Sequence, residues 1–445
     1  MMIKIKTISI VAISMLLITA CENELDQTPP VELESSALTN FDGVLNAAYY
    51  YHTGVVTPQA VMGEFRADNI TFDDEPPYPD FHKYNSDLGG LAISEIFFRP
   101  FYSNLYKSIL SANNVIDNSD DATQVAEAQF LRALSYFKLV LAFGDVTLNL
   151  SPSPDSSDLT LLTRQPAADI YTDVIIPDLT NAIAGLDNSG LGSGRASKIA
   201  AQSLLGKVYM FVNDYPNAKI ALENAVNAAS GAGVSLEPDF ANVVIDESSE
   251  IIFATQISSS ITNSAGGTIF SGWFQGGDTK ADEQNITLSL IEAFDASSTA
   301  GGGTDLREAL TIDVEARKGV KYLGGLDQDF IELRLSDVIL MYAEALNETS
   351  SPASTVLPLL DPIRTRAGLT SLTGTATSQA EVRAAIAQER RLELALEGHR
   401  WFDLVRTGTV DATMGQTIDS NYYVFPIPPS EVLASGGVIT QNPGY

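Results

Sequence analysis

Apolar residues recur at three- and four-residue spacing through most of this 445-residue chain, and alternating runs are few. That periodicity commits the chain to helices that must bury one face. It predicts helices over 40–53, 94–118, 122–143, 167–186, 196–212, 216–230, 285–295, 331–348, 353–367 and 378–398. Ser378 and Glu381 form an S-x-x-E capping box at the start of the last of these. Strand-like runs are short, at 250–256 and 422–427. Leu205-Gly206-Lys207-Val208-Tyr209 follows the L-G-x-x-Y grammar of a tetratricopeptide first helix. Asn213-Asp214-Tyr215-Pro216 supplies the turn, and Ala218 and Ala221 the small residues of a closely packed second helix. Segment 334–366 reads as another pair. A single pair cannot bury its apolar stripe, so stacking is expected. The predicted fold is mainly α, a tetratricopeptide-like superhelix of helix pairs. Long loops at 64–92, 258–284 and 296–330, rich in Gly, Pro, Asp, Asn and Ser, interrupt it.

Cys21 is the one cysteine in the chain. Lys4 and Lys6 precede an apolar stretch from Ile8 to Ile18, followed by Thr19-Ala20-Cys21. This is a charged n-region, a short h-region and a small-residue cleavage site. The apolar stretch is too short to cross a hydrocarbon core of ~30 Å as a helix. Ile18-Thr19-Ala20-Cys21 resembles a bacterial lipobox, in which the cysteine is acylated and becomes the new N-terminus. The expected organisation is a signal peptide over 1–20, a tether over 21–39 and a single domain to residue 445. Attachment to the membrane is expected through the lipid alone. Losing Lys4 and Lys6 with no acid would move the formal charge from −30 to −32. Such acidity repels nucleic-acid phosphates and marks a solvated surface.

Catalytic chemistry finds little support. His52, His82 and His399 are far apart, with no metal-ligand spacing. There is no nucleophile elbow and no Walker loop. Gly190-Leu191-Gly192-Ser193-Gly194 has no strand before it and reads as a turn; Gly301-Gly302-Gly303 reads as a loose linker. Glu389, Glu393 and Glu397 lie four apart on one helical row, where like charges repel. They need cations, and Arg390, Arg391 and Arg400 are the nearest in sequence, with Arg400 placed to meet Glu397. The reading is an ionic network that docks the last long helix, with Trp401 in the core behind it. No catalytic residue, metal or cofactor is expected.

Three further segments carry a family resemblance. They are Glu127-Ala128-Gln129-Phe130-Leu131-Arg132-Ala133 with its continuation to Asp145, the run from Arg334 to Glu348, and the run from Glu389 to Gly408. With Phe425-Pro426-Ile427-Pro428-Pro429 and the terminal Gln441-Asn442-Pro443-Gly444-Tyr445, they resemble the SusD/RagB lipoproteins of the Bacteroidota. One departure is Ser336, where that family usually has alanine. The resemblance implies four tetratricopeptide-like helix pairs bearing ligand loops, at the outer membrane and facing the exterior. It implies a SusC-like TonB-dependent transporter as partner, over which the protein acts as a hinged lid delivering oligosaccharide for import. A peptide-binding lid of the RagB type is the alternative.

Sugars are held by aromatic faces and by side chains that engage hydroxyls in pairs. Aromatics on loops, rather than in helical stripes, are therefore the candidates. One loop offers Arg66, Asp68, Asn69, Tyr78 and Phe81, beside Phe72, His82 and Tyr84. The other offers Trp273, Gln275 and Asp278, with Gly272, Gly276 and Gly277 expected to let the backbone present the indole outward.

Overall fold

Helices laid against their neighbours in chain order account for most of the fold, seen here in a computed structural model. The structure describes residues 40–72, 76–155, 158–258, 270–275, 285–323 and 325–445. The principal helices are α1 (Asp42–Thr53), α2 (Val56–Glu64), α3 (Arg99–Asn118), α4 (Ala122–Phe143), α5 (Ile176–Gly185), α6 (Lys198–Phe211) and α7 (Tyr215–Ala232). They continue as α8 (Phe270–Gln275), α9 (Leu288–Gly301), α10 (Leu335–Glu348), α11 (Gln379–Glu393) and α12 (Arg400–Arg406). Along the series α3, α4, α5, α6, α7, α10 and α11, each helix packs on the one before and the one after. This is the stacking that the periodicity requires.

Local chemistry sets the boundaries. The Asp121 carboxylate accepts from the Thr123 and Gln124 amides to start α4, and Ser197 caps α6 in the same way. Asp214 caps α7, which begins Tyr215-Pro216 and ends at Gly233 with φ 83°. The capping box at Ser378 and Glu381 is present. A Cβ on Gly206 would sit 2.5 Å from the Leu222 side chain. The glycine of the L-G-x-x-Y run is therefore what lets α7 close onto α6, with Ala218 and Ala221 buried. Buried Arg132 of α4 forks onto Asp178 of α5 at 2.7 and 2.9 Å, giving the E-A-Q-F-L-R-A segment a structural role.

Several expectations need correction. Val56–Glu64 is a helix the periodicity missed, because Pro58 and Gly63 obscure it. Pro58 falls in the first turn, where a missing amide costs nothing. The expected helix over 331–348 begins at Leu335. Phe330–Arg334 is strand β2, paired antiparallel with β1 (Ile251–Thr255). Segment 422–427 forms no strand: the Phe425 amide donates to the Ala142 carbonyl at the end of α4 instead. Asn442 donates to the Phe143 and Phe425 carbonyls at 2.9 and 2.7 Å, so the terminal Q-N-P-G-Y run latches this segment down. Gly301-Gly302-Gly303 is no loose linker. Gly301 ends α9, and a Cβ there would meet Leu369 at 2.4 Å; Gly302 has φ 69°. The stretch 190–194 is a short 3₁₀ turn, as expected.

Of the expected carboxylate row only Glu389 and Glu393 lie on α11; the helix ends at Glu393, Glu397 follows in the turn, and all three enter one ionic core. Glu250, Asp305, Glu389, Glu393 and Glu397 face Arg307, Lys321, Arg334, Arg364 and Arg366, all with side chains at most 6% exposed. Five carboxylates thus meet five cations. The partners differ from those sequence proximity pointed to. Glu389 is met by Arg307 and Arg364, and Glu397 by Arg334 and Lys321. Arg390 turns to Asp337 and Asp403, while Arg391 and Arg400 both reach Asp68. Trp401 lies in the core at 0% exposure, its indole N–H donating to the Tyr423 carbonyl.

Candidate functional site

The two aromatic loops converge. After α2, the strap Asp68–Thr71 is sewn to residues 285–287 by the Ile70–Ile286 bridge and by backbone bonds from Thr71 to Asn285 and from Thr287 to Asn69. The Asn285 amide then donates to the Trp273 and Phe274 carbonyls at 3.2 and 3.4 Å, fixing α8 beside the strap. Ring contacts complete the junction. Trp273 lies 5.3 Å from Phe97, 5.8 Å from Tyr78 and 6.0 Å from Phe72, centroid to centroid. Phe72 stacks on Phe65 at 4.2 Å and touches Tyr78 at 5.1 Å. These are the offset and edge-on geometries that aromatic quadrupoles favour. Phe65, Phe72, Tyr78, Phe81, Phe97 and Phe274 are buried; Trp273 is half-buried. The indole is thus the least buried ring of this aromatic stack. It is carried on a short helix rather than on the glycine-flanked loop expected from sequence.

The other candidates divide sharply. Tyr78 is 6% exposed and supports Trp273 from beneath. Gln275 is half-buried and ties α8 to the Tyr322 carbonyl at 2.6 Å. Phe81 is fully buried and offers no ligand surface. Arg66 is also at 0% exposure, with its guanidinium carbon 4.5 Å above the Tyr84 ring, 5.5 Å from Trp401 and 5.8 Å from Phe425. It donates to the Phe81 and Tyr422 carbonyls, so it pins this loop to the C-terminal segment by cation–π contact and two hydrogen bonds. Asp68 is engaged by Arg391 and Arg400 at 2.8 and 2.7 Å. Asn69, 1% exposed, bridges Glu64 and Arg391. Arg66, Asp68, Asn69 and Phe81 therefore build the platform rather than face a ligand. Asp278 lies outside the described residues. Phe97 was missed because its position in a helical stripe disguised its role; only the Phe97-Phe98 pair before Pro100 hinted at a turn-end cluster.

His82 is held neutral. Burial and nearby Arg66 lower its pKa to about 4, and its Nε2 accepts from the Phe72 amide. Glu64 anchors the opposite side of the strap. It is buried and accepts hydrogen bonds from the Asn69 side-chain amide and the backbone amides of Gly398 and His399, at 3.1, 2.9 and 3.2 Å. Burial raises its pKa to about 7 despite those bonds and Arg400. An acid with a raised folded-state pKa stabilises the fold fully below its unfolded value and loses that contribution as pH rises through its folded value. Wild-type stability is therefore expected to fall by about 3 kcal/mol between pH 4.5 and 8 on account of this group. Glu64→Gln should flatten that slope in urea titrations run across the range. An unchanged slope would show that Glu64 is ionised throughout.

The comparisons with known proteins agree with this architecture. The profile of the SusD family matches residues 311–421, and one described as starch-binding associating with outer membrane matches residues 25–210. SusD-like protein P2 of Formosa agariphila is 26% identical over 411 residues, covering 78% of this chain and 80% of the relative. SusD-like protein P38 of the same organism is 25% identical, with 93% of each chain covered. Among solved structures, a laminarin-binding SusD-like protein superposes with a TM-score of 0.68 at 24% identity, over 92% of this chain and 99% of that one. A SusD superfamily protein from Parabacteroides distasonis gives 0.73 at 23% identity, over 93% and 100%. No helix among the described residues is long and apolar enough to cross a membrane. The family is one of binding proteins rather than enzymes, and by its stacked helix pairs, its signature segments and these matches the chain belongs to the SusD/RagB family.

Proposed function

We propose that the protein is a cell-surface glycan-binding lipoprotein that captures an oligosaccharide and passes it to a SusC-like TonB-dependent transporter. The observation that carries this reading is the half-buried Trp273 indole, the least buried ring on a stack of buried ones. A pre-formed flat aromatic face binds sugar C–H surfaces without the cost of ordering a loop. Trp273 is the proposed contact, backed by buried Tyr78, with Gln275 and Asp278 as hydroxyl partners. The starch-binding description of one family profile and the laminarin-binding neighbour support a glycan over a peptide. The test is affinity electrophoresis through gels containing laminarin, starch, xylan or mannan, beside a peptide-digest competition. Retardation by a polysaccharide is expected; retardation by none, with binding of peptides, would replace this reading with the RagB-type one.

Cys21 is proposed as the lipid attachment site of the outer-membrane anchor, since it ends the lipobox-like Ile18-Thr19-Ala20-Cys21 after a charged and then an apolar run. Fatty-acid labelling should disappear in Cys21→Ser; label that persists there would refute the assignment. The transporter should co-purify with the tagged protein from mild detergent, and a protein that emerges alone at every salt concentration would contradict the lid role.

A further inference from the structure

A cavity of about 400 Å³ opens between the start of α7, the end of α10, the outer face of α11 and the segment 399–409 around α12. None of the loop aromatics lines it. Its volume lies within the range of small-molecule sites. Its floor is apolar: Ile386, Leu394 and Leu404 are all at most 3% exposed. Its walls are ionic, yet every charge is already matched. The five arginines that line it, at 383, 390, 391, 400 and 406, each hold a carboxylate within 2.8 Å. Arg383 forks onto Glu348 at 2.7 and 2.6 Å, and Arg406 onto Glu344 at 2.6 and 2.9 Å. His399 adds no charge near neutrality, since burial and Lys207 lower its pKa to about 4.

We infer that this cavity, which shares Asn69 with the Trp273 platform but none of its rings, is a second saccharide site, specific for a neutral sugar. An entering anion would find every guanidinium engaged and a carboxylate beside it, and an entering cation the reverse. A hydroxyl suits both partners at once: it donates to a spare carboxylate lone pair and accepts from a spare guanidinium N–H. Pre-paired charges bind it without first being stripped of a counter-ion, and the half-buried Tyr215 ring meets the C–H faces above that buried apolar floor. The space accommodates one or two rings rather than a long chain.

The test separates this site from the first. Full-length Trp273→Ala protein is titrated by calorimetry with maltose, cellobiose, laminaribiose, xylobiose and mannobiose, and with glucuronate and glucosamine as charged controls. At least one disaccharide should bind with a stoichiometry of one, and more tightly than either charged sugar. Ala387→Trp, an exposed position on the cavity wall, should weaken that binding more than tenfold at an unchanged melting temperature. Thr407→Trp, exposed on another wall, is the second blocking variant should the first fail to fold. Binding of no disaccharide, preference for a charged sugar, or indifference to blocking would overturn the inference. Loss of polysaccharide binding on Trp273→Ala alone is read separately and bears on the platform.

Discussion

Arg334→Met is expected to be the most destabilising single change in the ionic core, costing about 3–5 kcal/mol at neutral pH. Arg334 is 1% exposed and closes the ionic core at the junction of β2 and α10. Its guanidinium donates to Glu397 at 2.8 Å through two nitrogens, to Glu250 at 3.0 Å, and to the side chain and carbonyl of Glu393 at 2.8 Å. Methionine fills much of the volume but leaves Glu397 with Lys321 as its one remaining salt-bridge partner among the described residues. Breaking a buried ion pair from one side costs about 3–5 kcal/mol, because the remaining charge stays desolvated. That is a large share of a total stability of about 5–15 kcal/mol. The double change Arg334→Met/Glu397→Gln should recover part of the loss, since it removes the orphaned charge as well. Burial alone would raise the Glu397 pKa, but Arg334 and Lys321 reverse this and bring it down to about 2. Its contribution is therefore present above the ordinary carboxylate range and fades as pH falls through about 2. Urea melts of the three proteins decide the matter. A single mutant as stable as wild type would mean the network is not closed as described.

Gly63→Ala should be nearly as damaging, for a reason with no electrostatics in it. A Cβ at position 63 would lie 2.0 Å from the Gly398 carbonyl oxygen and 2.3 Å from its carbon. Both atoms belong to backbone, so no side chain can swing aside. The turn 394–399 must lift off α2, which also pulls the Gly398 and His399 amides away from Glu64. Overpacking commonly costs about 1–3 kcal/mol, and the upper end is expected where only backbone can yield. Thermal melting beside Gly43→Ala, whose Cβ meets nothing within 4 Å, supplies the comparison. Equal melting temperatures would show that the turn is free to move.

Much of the helical architecture was legible because its signals are local. The Gly206 and Ala218 pattern, the Ser378 capping box and the 3.6-residue stripe of α4 each act within a few residues of themselves. What misled was non-local. Phe330–Arg334 carries enough apolar residues to pass for a helix start, and only its pairing with Ile251–Thr255 makes it a strand. Arg400 lies three residues from Glu397 but spends its charge on Asp68, far away in sequence. The site was half legible. Loop aromatics pointed to both segments, and Trp273 and Tyr78 do meet. Nothing in the sequence could reveal that Arg66 would be swallowed by Tyr84, Trp401 and Phe425. A cation beside aromatics reads alike as a sugar contact and as a buried pin; burial alone separates the two.

The central claim is that Trp273 is a ligand face and Trp401 a structural one. Calorimetric titration with an oligosaccharide cut from the polysaccharide that retards the protein, and thermal melting of the same samples, tests it on Trp273→Ala and Trp401→Ala together. Truncating a stacked aromatic contact should weaken binding by about 2 kcal/mol or more. Emptying a buried tryptophan site should cost about 3–5 kcal/mol of stability. The account predicts lost affinity with a nearly unchanged melting temperature for Trp273→Ala, and early melting for Trp401→Ala. A Trp273→Ala protein that binds its oligosaccharide as wild type does, or that melts as early as Trp401→Ala, would contradict it.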